Sequence, residues 1–376
     1  MNGLAIASRG LEETAAAEIK EIINADCRIE ECTATFDFEK FEDLCLLCYK
    51  CQSVDKILLL LDSMNFKNFF DEMEGFIAKL DLGSWLEKNK KFRVDCRRQG
   101  THDFKSTDVE SKVCSSILKK FEKKKIKIDI KDYEIIFFIY IISNKCYFGI
   151  DFAGIDLNKR IYKIFLHSSS LRGTISYALI RESGFKKNDI LLDPFSKDGV
   201  ILIEAALYAR GFPVNYYNKE KFAFLRLKVN VNFEKFFKNI DKQIKKTKLN
   251  IYGYDHLFKY VDYSRKNAKI AGIDKCINFS RVDLEWLDIK FKKESVDVIA
   301  TSLPTSKNVN LEKIYNEFFY QSEYVLKKDG RIAVISRSPE MALKHASKHN
   351  FTISKEKDVW SGSQLLKMVV FKKKDI

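Results

Sequence analysis

The sequence lacks any apolar run long enough to cross a bilayer. The longest, Ile135 to Ile142, is less than half of the roughly 20 residues a membrane helix needs. No membrane-spanning helix and no membrane partner are expected. The start, Met1-Asn2-Gly3-Leu4-Ala5-Ile6-Ala7, has no basic stretch followed by a long apolar one, so a secretory leader is not expected and the chain is placed in the cytoplasm. Internal repeats and low-complexity tracts are missing, as is the Gly-x-Gly-x-x-Gly fingerprint of dinucleotide enzymes. The nine cysteines are read as reduced thiols. Cys45, Cys48 and Cys51 are spaced like part of an iron–sulfur ligand run, but no fourth cysteine with a following proline appears. The same spacing marks one helical face, so they are read as packing residues and no metal is expected.

What is present is positive charge. With 66 Lys+Arg against 52 Asp+Glu the net charge is +14, which favours a polyanionic partner: RNA, DNA or an acidic membrane. At 376 residues the chain exceeds a typical domain of about 100 to 200 residues, so two or three units are expected.

Residues 1–63 read as a small α+β unit: strand Leu4 to Ala7, helix Glu12 to Ile23, strand Ala34 to Phe38, helix Phe41 to Tyr49, strand Lys56 to Leu61. The pattern restarts over 64–155, with a strand at Phe92 to Cys96, a helix at Thr107 to Phe121 and strands near Lys125 to Ile130 and Ile135 to Ile142. Its basic residues are concentrated, and Arg93, Arg97, Arg98, Lys105 and Lys112 are candidate RNA contacts, with Phe92, His102 and Phe104 interleaved as stacking groups. For Lys119, Lys120, Lys123, Lys124 and Lys125 a solvated lysine face competes with that reading. After a polar linker, 156–172, strands alternate with helices over 173–376, which predicts a doubly wound, mainly parallel α/β sheet of seven strands. The last two strands lack an intervening helix and are expected to form an antiparallel edge hairpin. The shape of 212–248, basic and aromatic, is left open.

Three acidic residues recur at strand ends in this last unit. Asp193 closes Ile190-Leu191-Leu192-Asp193, Asp255 follows the second strand, and Asp283 lies just beyond the third. A carboxylate at the second strand end is placed to accept from a ribose diol, and one near the third to meet an adenine amino group, so the three outline an adenosine site. The loop Asp193 to Gly199 sits where backbone N–H groups meet a cofactor, which makes Asp193, Phe195, Ser196, Gly199, Asp255 and Asp283 the candidate cofactor residues.

These residues resemble a known family. Asp193-Pro194-Phe195 with Ile201-Leu202-Ile203-Glu204-Ala205-Ala206 is similar to the first cofactor motif of class I S-adenosylmethionine-dependent RNA methyltransferases that carry a THUMP domain. Asp297-Val298-Ile299-Ala300-Thr301-Ser302-Leu303-Pro304-Thr305, followed by Tyr324-Val325-Leu326-Lys327-Lys328-Asp329-Gly330, is similar to their catalytic motif and the strand after it. Gly10-Leu11-Glu12-Glu13 resembles their ferredoxin-like opening, Phe92 to Arg98 with Thr107 to Glu110 their THUMP domain, and Lys159-Arg160 with Leu171-Arg172-Gly173-Thr174 the lead-in to the catalytic domain. The resemblance implies a Rossmann-like methyltransferase domain behind a ferredoxin-like plus THUMP module, S-adenosylmethionine as cofactor, tRNA as partner, and methyl transfer to guanine N2. It makes Ser302, Leu303, Pro304 and Thr305 the candidate catalytic residues.

The resemblance also exposes two departures. The family's catalytic motif opens with Asn or Asp, continues Pro-Pro and ends in an aromatic, where this chain has Ser302 to Thr305; its cofactor loop has glycine and serine where this chain has Lys197 and Asp198. Losing a stacking ring is worth about 1 to 3 kcal/mol and weakening one neutral hydrogen bond about 0.5 to 1.5. The sum slows transfer by roughly tenfold to a thousandfold if nothing compensates. An RNA-binding protein with an impaired catalytic domain is therefore the alternative reading, and a methyltransferase acting on DNA or protein amines a third.

Overall fold

The computed structural model describes residues 1–305 and 309–374. The N-terminal half is built on one eight-stranded sheet. It comprises β1 (Asn2–Ala7), β2 (Cys27–Glu30), β3 (Thr33–Asp37), β4 (Val54–Asn65), β5 (Lys91–Gln99), β6 (Lys127–Ile128), β7 (Ile135–Ile142) and β8 (Lys145–Asp151), in the order β2-β3-β1-β4-β8-β7-β5-β6. The boundary expected after residue 63 falls inside β4, whose first part, Val54 to Leu59, pairs with β1 and whose later part, Leu58 to Asn65, pairs with β8. This one long strand fuses the two units. All eight residues of β7 are buried because the strand lies between β8 and β5 with both faces covered, which is why it reads as an uninterrupted apolar run.

Helices α1 (Glu12–Ile23) and α2 (Phe41–Lys50) cover one end of this sheet, and α3 (Phe69–Lys79) and α4 (Ser106–Lys120) the other. In α4, Val109, Val113 and Ile117 recur every four residues and are fully buried, so burial of that stripe holds the helix to the sheet. Cys45, Cys48 and Cys51 are 0% exposed in the same core, and desolvation pushes the Cys45, Cys48 and Cys51 thiols far above their ordinary value. They pack as the helical spacing predicts.

The C-terminal half is a seven-stranded sheet of order β11-β10-β9-β12-β13-β15-β14, made of β9 (Ile190–Asp193), β10 (Asn250–Asp255), β11 (Ile277–Arg281), β12 (Val296–Ser302), β13 (Leu326–Ser336), β14 (Phe351–Ser361) and β15 (Gln364–Lys373). The first five are parallel, and β14 and β15 form the antiparallel hairpin. The flanking helices are α5 (Gly173–Glu182), α6 (Val200–Arg210), α7 (Phe233–Asp241), α8 (Phe258–Ile270), α9 (Leu287–Lys290), α10 (Leu311–Val325) and α11 (Glu340–Lys348). Among the described residues no helix is long and apolar enough to cross a membrane.

Two features bring the halves together. The 212–248 segment, with α7 and two short 3-10 turns, lies against the N-terminal half: Asn215 Nδ2 donates to the Cys48 carbonyl at 3.0 Å, the Tyr49 hydroxyl to Asp241 at 2.7 Å, and Phe224 N to the Phe152 carbonyl at 3.0 Å. The β14–β15 hairpin reaches the opening of α1, where Trp360 N donates to the Arg9 carbonyl at 2.9 Å. Gly10, with φ 89°, makes that approach possible, since a Cβ there would lie 2.1 Å from the Asp358 carbonyl oxygen.

Candidate functional site

The strand order reverses between β9 and its neighbours β10 and β12, and a cleft opens beyond their carboxyl ends, as expected for an open parallel sheet. The cavity there has a volume of about 840 Å³ and is lined by Phe195, Lys197, Asp255, Asp283, Tyr260 and Pro304 among others. Its floor is the 193–199 loop. Ser196 N donates to the Tyr254 carbonyl at 2.8 Å and Gly199 N to the Ser196 carbonyl at 2.7 Å, folding the loop tightly against β10. Gly199 has φ 79°, and a Cβ there would meet Ser264 Cβ at 3.0 Å and the Phe279 ring at 3.1 Å, so glycine is required where α6 begins.

The three strand-end acids meet different surroundings. Asp193 is 1% exposed; its Oδ1 accepts from Thr301 Oγ1 at 2.5 Å and from Phe195 N at 3.1 Å, and burial pushes its carboxyl up to about 7. Asp255 accepts from Leu257 N at 3.0 Å and from Lys197 N at 3.1 Å, and burial raises it as well. It fixes the loop while lining the cavity. Asp283 is half-buried on the cavity wall beside Val282 and Leu284. Ser196 Oγ is buried with no hydrogen-bond partner among the described residues.

Lys197 has φ 53°, the left-handed conformation that the absent glycine would have adopted freely. Its side chain is not spread on the surface. The residue is 9% exposed, and Nζ donates to Ser302 Oγ at 3.1 Å.

The four candidate catalytic residues separate. Ser302 ends β12, is buried, and takes the hydrogen bond of Lys197, which lines the cavity. Leu303 is 2% exposed in the core beneath, where its side chain packs with the apolar faces of β12 and α10. Pro304 lines the cavity, and its carbonyl accepts from the Tyr315 hydroxyl at 2.9 Å. Thr305 lines the cavity too. Tyr315 and Phe318 are buried, Phe318 against Phe195 with ring centroids 5.8 Å apart, so neither presents a free face in place of the missing motif aromatic. The rings that line the cavity, among the described residues, are Phe195, Tyr260, His167 and His256, with His167 and Tyr260 packed edge to face at 4.5 Å. His167 and Tyr260 were not singled out in the sequence; His167 lies in the linker, whose polar composition hides the fact that it folds back over the cofactor loop.

A second cavity of about 730 Å³ lies where the two halves meet, lined by Arg9, Arg97, Arg98, Lys163, Arg172 and Trp360 among others. The linker separates it from the first: Lys163, Leu166 and Arg172 face one cavity, and His167 to Ser169 the other. Of the candidate RNA contacts, this cavity gathers only Arg97 and Arg98. Arg97 also pairs with Asp55 at 3.4 Å and Asp156 at 2.9 Å, and the Arg98 guanidinium sits 5.5 Å from the Phe104 ring centroid. Arg93 lies elsewhere on β5, paired with Asp95 at 2.6 Å and stacked on Tyr133. Lys105 is exposed at the start of α4, and Lys112 lies 3.8 Å from Glu74. Lys120 and Lys124 donate to backbone carbonyls at and beyond the end of α3, including Ala78 and Leu86, which makes them structural.

The chain matches the RMKL-like methyltransferase domain family over residues 160–367 and the THUMP domain over 67–151. It is 28% identical over 332 residues to a tRNA (guanine(6)-N2)-methyltransferase of Methanocaldococcus jannaschii, covering 85% of this chain and 86% of that protein. A protein of the same name from Archaeoglobus fulgidus is 24% identical, with 96% and 90% covered. Among solved structures, a possible methylase of Clostridium difficile superposes with a TM-score of 0.85 at 20% identity, over 100% of this chain and 98% of that one. TrmN of Thermus thermophilus superposes with a TM-score of 0.70 at 19% identity, over 99% of each chain. These superpositions establish a shared fold.

Proposed function

The chain belongs to the RMKL-like methyltransferase family, and on that premise we propose that it transfers a methyl group from S-adenosylmethionine to the exocyclic N2 of a guanine in tRNA, in the cytoplasm. The observation that carries this reading is the cleft at the strand reversal, whose lining includes Asp255, Asp283 and Pro304 together with Lys197, the hydrogen-bond donor to Ser302.

The residues present fit the adenosyl part of the cofactor. Asp255 keeps lone pairs for a ribose diol, Asp283 is placed for an adenine amino group, and Leu257, Val282 and Leu284 supply an apolar slot between them. When bound, S-adenosylmethionine supplies a methyl group on a cationic sulfur. Ser302 Oγ accepts from the target amine and aims its lone pair, while a base extruded from the RNA enters past Thr305. The THUMP domain and the basic cavity holding Arg97 and Arg98 support RNA as the substrate, and the two relatives named as acting on guanine 6 of tRNA support that nucleotide class.

The experiment is transfer of isotope label from S-adenosylmethionine to unmodified tRNA transcripts, with the modified base identified by nuclease digestion and mass analysis. N2-methylguanosine is expected, position 6 being the first to examine. Absence of label from every transcript overturns the reading.

A further inference from the structure

The two departures from the family pattern lie at the two ends of one hydrogen bond. Lys197 stands in the cofactor loop and Ser302 opens the altered catalytic motif, and Nζ of the first donates to Oγ of the second at 3.1 Å. Lys197 holds a left-handed backbone, φ 53°, that glycine would adopt without strain, and keeps its amine out of water at 9% exposure. This buried lysine holds a left-handed backbone and aims its amine at Ser302, the first residue of the candidate catalytic motif.

Methyl transfer forms one N–C bond and breaks one C–S bond, the electron pair staying on sulfur, so the methylated amine is left with one proton too many. A serine hydroxyl can take that proton only if it gives up its own. We propose that Lys197 is a positioning residue for methyl transfer: its neutral amine takes the Ser302 hydroxyl proton as Ser302 Oγ takes the proton leaving the target amine. The resulting ammonium later returns one proton to water, which balances the turnover. In the protonated state the ammonium instead donates to Ser302 Oγ and occupies a lone pair that the target amine needs. The proposal rests on the reading of this cleft as a methyl-transfer site.

The surroundings suit an amine that changes state near neutrality. Asp193 at the end of β9, Asp198 in the same loop and Asp255 at the end of β10 favour its charge; Arg337 beyond β13 opposes it, and His167 faces it from the linker. Burial outweighs the acids and brings the amine down to about 8. A lysine tuned to that range matches what proton transfer at physiological pH requires.

Lys197→Gly is the informative variant, because glycine relieves the backbone and leaves the loop able to fold. Three measurements are made on the full chain: S-adenosylhomocysteine binding by calorimetry, the pH profile of single-turnover methylation of tRNA, and NMR titration of the lysine 13Cε resonance that Lys197→Gly removes. We expect the wild-type rate to rise to a plateau through about pH 8, matching the NMR midpoint. Lys197→Gly should bind S-adenosylhomocysteine about as well as wild type while losing that pH limb and on the order of a hundredfold in rate. Methylamine should restore rate in proportion to its free-base concentration, and Lys197→Arg, always protonated, should stay slow at every pH. Ser302→Ala should move the NMR midpoint. The proposal is overturned if wild type methylates tRNA and Lys197→Gly does so equally fast, or if Lys197→Gly binds S-adenosylhomocysteine far more tightly and speeds up, which would make the side chain an obstruction. No methylation by wild type overturns the functional reading itself.

Discussion

Arg160 Nε donates to Glu204 Oε1 at 2.7 Å, with both side chains at or below 1% exposure. The same carboxylate accepts from the Tyr162 hydroxyl at 2.5 Å and from Gln52 Nε2 at 2.6 Å, and Arg160 also donates to the Gln52 carbonyl at 2.5 Å. Gln52 follows α2, Arg160 and Tyr162 belong to the linker, and Glu204 lies on α6 directly behind the cofactor loop. One carboxylate thus holds three parts of the chain.

Removing one partner strands the other without water. Glu204→Ala is expected to destabilise the protein by about 3 to 5 kcal/mol, whereas the double change Arg160→Met with Glu204→Leu should recover most of that loss. Chemical denaturation of the three proteins decides the matter; a double variant as unstable as Glu204→Ala would refute it.

Lys197 makes stability depend on pH. Its folded value, about 8, lies below its ordinary 10.5, so the folded protein binds fewer protons than the unfolded chain between those values and gains stability as pH rises through that window. Lys197→Met removes this dependence. It should exceed wild type by an amount on the order of 3 kcal/mol at pH 7, shrinking toward zero by about pH 10.5. Urea melts at several pH values read this out, and a difference that stays constant with pH would count against it.

Asp255 and Asp283 should separate by the strength of what each accepts. Asp255→Asn weakens S-adenosylhomocysteine binding by roughly tenfold to a hundredfold, and Asp283→Ala by about twofold to tenfold, as expected for a charged and a more solvated hydrogen bond. Because Asp255 also accepts from Lys197 N, its variant should lower thermal stability while Asp283→Ala leaves it unchanged. Calorimetry with thermal melts of the same samples tests both halves.

Among the basic residues, Arg98 and Lys120 should behave oppositely. Arg98→Ala is expected to weaken tRNA binding and to reduce the salt slope by about one unit. Lys120→Ala leaves RNA affinity intact but costs stability, since its amine holds the Ile77 and Ala78 carbonyls. Filter binding across a salt series distinguishes them, and a drop in affinity for Lys120→Ala alone would reverse the assignment.

The strands and helices of the C-terminal half were legible because each parallel strand is an apolar run closed by a polar or glycine turn. Ile190 to Asp193 and Val296 to Thr301 are recovered almost to the residue. Helices α3 and α5 and strands β2 and β8 were not picked out. β2 is only four residues long with no buried position, and α5 is buried on nearly all sides, so neither shows a clean period. The acids of the cleft could be found because they sit at strand ends, a position that a sequence displays. The bond from Lys197 to Ser302 could not, because it depends on how a side chain crosses from one loop to another strand. The separation of Arg93 from Arg97 and the carbonyl-bound roles of Lys120 and Lys124 were hidden for the same reason: composition shows charge and not what neutralises it.

The hydrogen bond from Trp360 to Arg9 ties the C-terminal hairpin to a segment of the N-terminal half that is made long before it. On a ribosome, β1 to β8 can pair and close their sheet while the C-terminal half is still being made. The opening of α1 nevertheless keeps its docking edge bare until β14 and β15 emerge. A chain halted before residue 351 therefore presents a finished N-terminal sheet with an unprotected rim, the kind of surface that holdase chaperones bind and proteases sample.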